Sequence, residues 1–245
     1  MFTSWHGFLP VLTSVVMVMS FGSSVLGDDP EKNDLSGKEI LDRLVKTYAK
    51  CNTYSDSGEV SITFIENTGK RIDIRPFTTA FIRPDRFRYQ YQANHAANRV
   101  SRYLIWKKGE DVRSWWDIAP GIQKPASLGL ALGGAAGVSG GSSTTVPGLL
   151  LPKEVGGARL SFLTELKRGE DEKLDGIDCY RVEGMSVKVS LTLWIEKKTF
   201  LLRQTNEFND FGNFQTEQTT SYKPVMGEKI PEEALVFDPP KPIDD

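Results

Sequence analysis

Histidine and cysteine are scarce in this chain of 245 residues, with two of each. That scarcity removes several chemistries. His6 lies in an apolar leader and His95 in the polar stretch Asn94-His95-Ala96, and neither has a second His or Cys at metal-ligand spacing. No metal site and no cofactor is expected. The serine cluster at 139–143 lacks the Gly-x-Ser-x-Gly setting of an activated nucleophile. Gly133-Gly134-Ala135-Ala136-Gly137 lacks the Lys-Ser/Thr of a phosphate loop. The acidic run at 170–175 lacks calcium-loop spacing and reads as a solvated turn. No pair of carboxylates is singled out for glycoside hydrolysis. The expectation is a protein that is not an enzyme.

Charge of one sign is also missing. Lys and Arg number 30 against 32 Asp and Glu, a formal net charge of −2, and no basic block occurs. Nucleic acid is therefore excluded as a partner, and nothing argues for an anionic membrane surface. Length and composition suit one substantial core.

Two stretches lack charge altogether. Residues 1–27 hold no Lys, Arg, Asp or Glu, and Val15-Val16-Met17-Val18-Met19 stands at the centre of an apolar run. Small or permissive residues, Val25-Leu26-Gly27, come just before Asp28. This reads as a secretory signal peptide cleaved after Gly27, placing the protein in the periplasm or outside the cell. The alternative is an uncleaved N-terminal membrane anchor, because the run approaches the length needed to span. Residues 28–34 are polar and expected to be disordered. The second stretch, SLGLALGGAAGVSGGSSTTVPGLLL, lies within a Gly-rich segment at 120–151. Glycine interrupts it too often for an ordinary strand or a membrane-spanning helix. Leu128, Leu130 and Leu132, then Leu149 and Leu150, flank a flexible middle. It is either a linker or a lid. Exposed leucines on a linker are costly, which favours a lid folded over an apolar cavity.

In an oxidising compartment the remaining pair, Cys51 and Cys179, has two readings. A disulfide closing so long a loop would contribute about 3–5 kcal/mol in the chain-entropy model. Two buried free thiols are the alternative.

Periodicity supplies the elements. Ser36 stands three residues before Glu39, a capping-box spacing. Ile40, Leu41, Leu44, Val45 and Tyr48 follow at helical spacing, giving one apolar stripe. The rest alternates at period two, which puts successive side chains on opposite faces of a strand. Val60, Ile62 and Phe64 share one face, and residues 71–75 alternate through Ile72 and Ile74. In residues 78–91 the aromatics Phe81, Phe87, Tyr89 and Tyr91 take one parity, while Arg86 and Arg88 take the other. Pro84 marks an edge, bulge or bend in that strand. Residues 92–102 read as polar loop. A Trp-rich hairpin turns at Lys107-Lys108-Gly109-Glu110-Asp111, and alternating runs between 177 and 222 make a meander of hairpins. Residues 231–234 read as a helical turn and 235–237 as a last short strand, before a disordered tail at 241–245. One helix followed by many hairpins, with no βαβ alternation, is an α+β fold with an antiparallel sheet.

These pieces, in this order, resemble the periplasmic lipoprotein carrier (LolA-like) superfamily. The resemblance rests on "RPDRFRYQY", the hairpin ending in Trp115-Trp116, the mid-chain lid, "DGIDCYRVEG", "LTLWIEKKTFLLRQTNEF" and the terminal "IPEEALVFDPP". It covers residues 35–240 as a single domain. It implies a strongly curved, unclosed half-barrel wrapped around the helix and the lid, with an apolar cavity for acyl chains. It also implies that Arg83, the arginine before proline, helps hold the lid.

Candidate ligand contacts are Val60, Ile62, Phe64, Phe81, Arg83, Phe87, Tyr89, Tyr91, Leu191 and Leu193; the plainer reading is that these residues are core. The expected partners are a lipid or acylated protein, with an inner- or outer-membrane partner protein, and the chain is expected to be monomeric. Two functions stay open: an exported carrier of an apolar ligand, and a secreted structural or sensory module whose cavity is filled by its own lid.

Overall fold

The structure, a computed structural model, describes residues 1–2, 35–95, 99–187 and 189–239. Residues 35–245 form one compact unit distinct from residues 1–34. The expected signal peptide, the leader at 28–34 and the tail at 241–245 fall outside the described residues.

Helix α1 (Gly37–Ala49) begins where the capping box predicts. The Ser36 hydroxyl accepts from the Glu39 N–H, and the Glu39 carboxylate accepts from the Ser36 N–H at 2.9 Å. Its stripe of Ile40, Leu41, Leu44 and Tyr48 is buried. The chain then builds long antiparallel strands: β1 (Thr53–Glu66), β2 (Gly69–Ile82), β3 (Arg86–His95), β4 (Arg99–Lys108), β5 (Asp111–Trp116) and β6 (Ala119–Gln123). Three short helices follow, α2 (Leu128–Ala136), α3 (Ser142–Leu150) and the single turn α4 (Pro152–Val155). A 3-10 turn (Arg159–Phe162) leads into β7 (Thr164–Arg168), β8 (Glu172–Leu174), β9 (Ile177–Ser186), β10 (Val189–Glu196), β11 (Leu202–Asp210), β12 (Phe214–Tyr222) and β13 (Val225–Met226).

The thirteen strands form one sheet; eleven run in the order β6-β5-β4-β3-β2-β1-β12-β11-β10-β9-β7, while β13 pairs with β1 and β8 with β9 beside that path. Its two ends, β6 and β7, do not pair, so the sheet is open. Strand β1 is the seam between the halves, with Gly58 opposite Tyr222 and Glu66 opposite Phe214. Inward residues of β1 to β3 and of β9 and β10 meet α1, α2 and α3 in a single core. Strands that far apart in the order share one core only because the sheet curves around the helices. This is the α+β open half-barrel that the resemblance implies.

The outer face of β2 to β4 carries its own cover. Arg86 grips the Glu232 carboxylate with both guanidinium nitrogens at 2.6 and 2.7 Å. Arg88 donates to the Val236 carbonyl and to Asp238, and the Trp106 indole donates to the Leu235 carbonyl at 2.7 Å. Ala80, Ile230 and Leu235 make a small second core there. The cations on the outward parity therefore bind the C-terminal segment.

Several element readings change. Residues 78–91 are two strands of a hairpin, with a cis Arg83–Pro84 peptide in the turn. Strands β3 and β4 pair out to His95 and Arg99, so residues 92–95 and 99–102 belong to the sheet rather than to a loop. Residues 119–123 extend the sheet as β6, within what reads as lid. Residues 232–235 form a 3-10 turn, and 235–237 is not a strand because no neighbour offers it a ladder. Ile72 and Ile74 point outward at 63% and 43% exposure. β2 is continuous, so Phe77 and Phe81 set its inward parity and put Asp73 and Arg75 on the inner face.

Candidate functional site

The inner face of the sheet is the candidate site, and its residues come from parity. Val60, Phe81, Phe87, Tyr89, Leu191 and Leu193 are fully buried on it; Ile62 and Tyr91 are nearly so. Phe64 is only partly buried, with the Arg71 guanidinium 4.1 Å over its ring. The structure thus brings the apolar members of the sequence-selected set onto one surface, while Arg83 lies in the turn between β2 and β3. What touches that surface is the segment at 128–151.

That segment forms two helices joined by a turn at 137–141, and its leucines divide. Leu128, Leu132, Leu149 and Leu150 are buried against the sheet and α1. Leu130 is 65% exposed and does not face inward, a correction to its expected place in the lid. It stands two residues after Leu128 and two before Leu132, which turns it to the opposite side of the helix. Ala131, Ala135, Val146 and Leu151 complete the seal. The serines at 139–143, already unconvincing as nucleophiles, bind lid backbone. Ser143 donates to the Leu132 carbonyl at 2.9 Å, and Ser142 to the Ser139 carbonyl at 2.8 Å.

Few polar bonds cross between lid and sheet. The Tyr89 and Ser142 hydroxyls share a hydrogen bond of 2.7 Å. Gln218 donates to the Gly140 carbonyl at 2.8 Å, and Arg75 to the Val138 carbonyl at 2.7 Å. Arg83 reaches three carbonyls: Cys51 at 2.8 Å, Ala49 at 3.0 Å and Leu150 at 3.0 Å. It therefore ties the end of α1 to the end of α3. Lys107 pairs with Glu154 at 3.3 Å. Net worth is about 1 kcal/mol for each such hydrogen bond, against about 2 kcal/mol for each buried leucine. Apolar contact is the larger part of what holds the lid down.

Sequence parity alone would have flagged one residue that went unnoticed. Asp56 lies on the inward parity of β1 between Tyr54 and Val60, and it is buried. Its Oδ2 accepts from the Tyr54 hydroxyl at 2.9 Å. Burial pushes its carboxyl up to about 6, against the opposing pull of the Thr79 and Tyr54 hydroxyls. Burial likewise raises the phenols of Tyr54, Tyr48, Tyr222 and Tyr89. The Tyr48 hydroxyl also accepts from the Leu202 N–H at 3.2 Å.

Cys51 and Cys179 are both free and buried, so the disulfide reading is overturned. Each thiol instead donates to a carbonyl two residues away, Cys51 to Thr53 and Cys179 to Ile177. Burial raises both thiols, Cys179 to about 11, which keeps them protonated and unreactive.

Open space at the inner face is a notch of about 270 Å3 at the bend between α2 and α3. It is lined by Asp73, Arg75, Tyr91, Ala93, Ser101 and Trp116, with Ile118, Gly137 and Val138. The pairing of β2 with β3 stops at Phe77 and Tyr91, although both strands run on. The notch lies where they part. Tyr91, Tyr103 and Trp116 follow one another across it, with ring centroids 5.9 and 5.5 Å apart.

No family model and no curated protein matches the sequence. Among solved structures, the chain is similar to LprF from Mycobacterium bovis at 11% identity, over 80% of this chain and 94% of that one, with a TM-score of 0.45. It is similar to the lipoprotein LppX from Mycobacterium tuberculosis at 13% identity, over 78% and 95%, with a TM-score of 0.41. A third is a LolA superfamily protein from Nitrosomonas europaea at 11% identity, over 82% and 98%, with a TM-score of 0.31.

Proposed function

We propose that this protein is an exported, non-catalytic binder or carrier of an apolar chain, a lipid or the acyl group of a lipoprotein. The ligand takes the place of the lid leucines on the inner face of the half-barrel. One observation carries the reading: an apolar face is covered by a separate segment that is held mainly by leucines. A methylene chain can replace those leucines like for like, at about 0.8 kcal/mol for each buried CH2. The helices of that cover are weak in isolation. The nine residues of α2 include Gly129, Gly133 and Gly134, and α3 has Pro147 inside it and no side-chain cap. Export through the N-terminal signal would place the protein where membrane lipids and acylated proteins are handed between membrane partners. No helix among the described residues is long and apolar enough to cross a membrane.

A second reading has its own observation. Leu132 and Leu150 are completely buried, so the lid by itself satisfies the inner face. A structural or sensory module would look the same when closed. Native mass spectrometry on protein purified without detergent, with fluorescent fatty acid titration, separates the two. A co-purified lipid or saturable uptake supports the carrier. Protein that is empty and ignores the probe leaves only the self-filled module.

A further inference from the structure

We propose that the notch between β2, β3 and the lid tip is a recognition site for an uncharged carbonyl, the ester or amide group at the head of an acyl chain. This rests on the acyl-binding reading and names the part of the ligand that the protein would recognise.

Arg75 is the centre of the argument. Its Nε donates to the Asp73 carboxylate at 3.0 Å, and a terminal nitrogen also pairs with that carboxylate. The other terminal nitrogen donates to the backbone carbonyl of Val138. Both side chains of the ion pair are only 16% exposed. Three of the five guanidinium N–H groups are bonded in this way, and the bond that an incoming acceptor can replace is the one to the neutral carbonyl of the lid. Val138 stands in the bend between α2 and α3, where Gly140 and Gly141 adopt positive φ angles of 60° and 78°. Such a bend can withdraw without breaking a regular element. When it does, Arg75 turns its free N–H into the notch, and an incoming acceptor closes the gap that Val138 leaves.

Charge selects the acceptor. Asp73 already neutralises Arg75, so a carboxylate arriving at the same nitrogen would gain from the guanidinium and lose to Asp73. An ester or amide carbonyl meets no such repulsion and reproduces the bond that Val138 makes. Size agrees. A volume of about 270 Å3 holds roughly nine water-sized groups, enough for a head group and too little for a long chain. Tyr91 and Trp116 give the notch flat aromatic walls, and the chain attached to the head would run beneath the lid, where the leucines lie. Displacement of Val138 links recognition of the head to release of the lid.

The test uses 1-decanoylglycerol and decanoate, which share a chain and differ in charge, each below its micelle concentration at neutral pH. The full mature protein should bind the glycerol ester at least tenfold more tightly than the carboxylate. Arg75→Met should erase that preference, and Arg75→Lys, which keeps a donor, should retain part of it. Asp73→Asn should shift selectivity toward decanoate, because the guanidinium is then unbalanced. Thermal melts of each variant confirm folding, and the ratio of the two affinities is the readout, so a general loss of binding does not imitate the effect. If both probes bind and the ratio ignores Arg75 and Asp73, the carbonyl site is wrong while the acyl binder stands. If neither probe binds the wild-type protein, both proposals fall.

Discussion

A single buried carboxyl sets a pH dependence that can be assigned. Asp56 is held at about 6 in the folded protein by burial, against about 4 for an aspartate in the unfolded chain. A carboxyl raised on folding favours the folded state when protonated. Its stabilisation is complete below pH 4 and is lost as pH rises through 6, a change of about 3 kcal/mol. Asp56→Asn removes the titration. The expected result is a variant more stable than wild type at pH 7.5, by about 1–3 kcal/mol, with the difference shrinking towards pH 4. Urea denaturation of both proteins at pH 4, 5, 6 and 7.5 measures it, and equal stabilities at pH 7.5 would contradict the assignment. Phe87 gives the complementary prediction. Its ring is completely buried, so Phe87→Glu places an unpaired charge in the core and should cost more than 3 kcal/mol. An unchanged melting temperature would mean that the inward assignment is wrong. These inward residues were legible because parity reports faces directly. Asp73 and Arg75 were not, because Ile72 and Ile74 mimic an apolar face in isolation. The parity is set by Phe77 and Phe81 further along the same strand.

At the scale of elements, α1 was legible to within its cap, whereas α2 and α3 were hidden. Alanine and leucine in those helices are good helix formers, but four glycines and a proline cancel the local signal. Helix forms there because the core accepts its buried face. The glycines then sort by what surrounds them. A Cβ on Gly148 would meet the Ala158 Cα at 2.8 Å, so packing requires that glycine. A Cβ on Gly133 or Gly134 would meet nothing within 4 Å, and neither has a positive φ. Nothing in the closed arrangement needs a glycine at either place. Gly133→Ala with Gly134→Ala should stabilise the closed lid by about 1–2 kcal/mol. Thermal unfolding should shift upward and uptake of a fluorescent fatty acid should slow. Gly148→Ala should destabilise instead. Faster uptake in the double variant would rule out lid opening as the access step.

For the molecule as a whole, the proposed function makes the curved sheet the lasting frame and the lid its yielding part. Hydrogen exchange should show this as two levels of protection. Amides of α2 and α3 should exchange well ahead of those in β1 and β12, because opening the lid breaks few hydrogen bonds to the sheet. Uniform protection across lid and sheet would argue for the self-filled module. An acyl ligand should also raise the melting temperature with concentration, as mass action requires.

The seam between β1 and β12 has a further consequence, for biosynthesis. Strand β1 leaves the ribosome well before its second neighbour, β12. Until Phe214–Tyr222 is available, β1 has one bare edge of backbone groups along Gly58–Glu66. Closure across so long a sequence separation is slow, so β1 stays half-paired through much of synthesis. A polypeptide that crosses a membrane before folding gains from that delay. A chain ending before Phe214 should aggregate rather than fold, and its yield in the soluble fraction would show it.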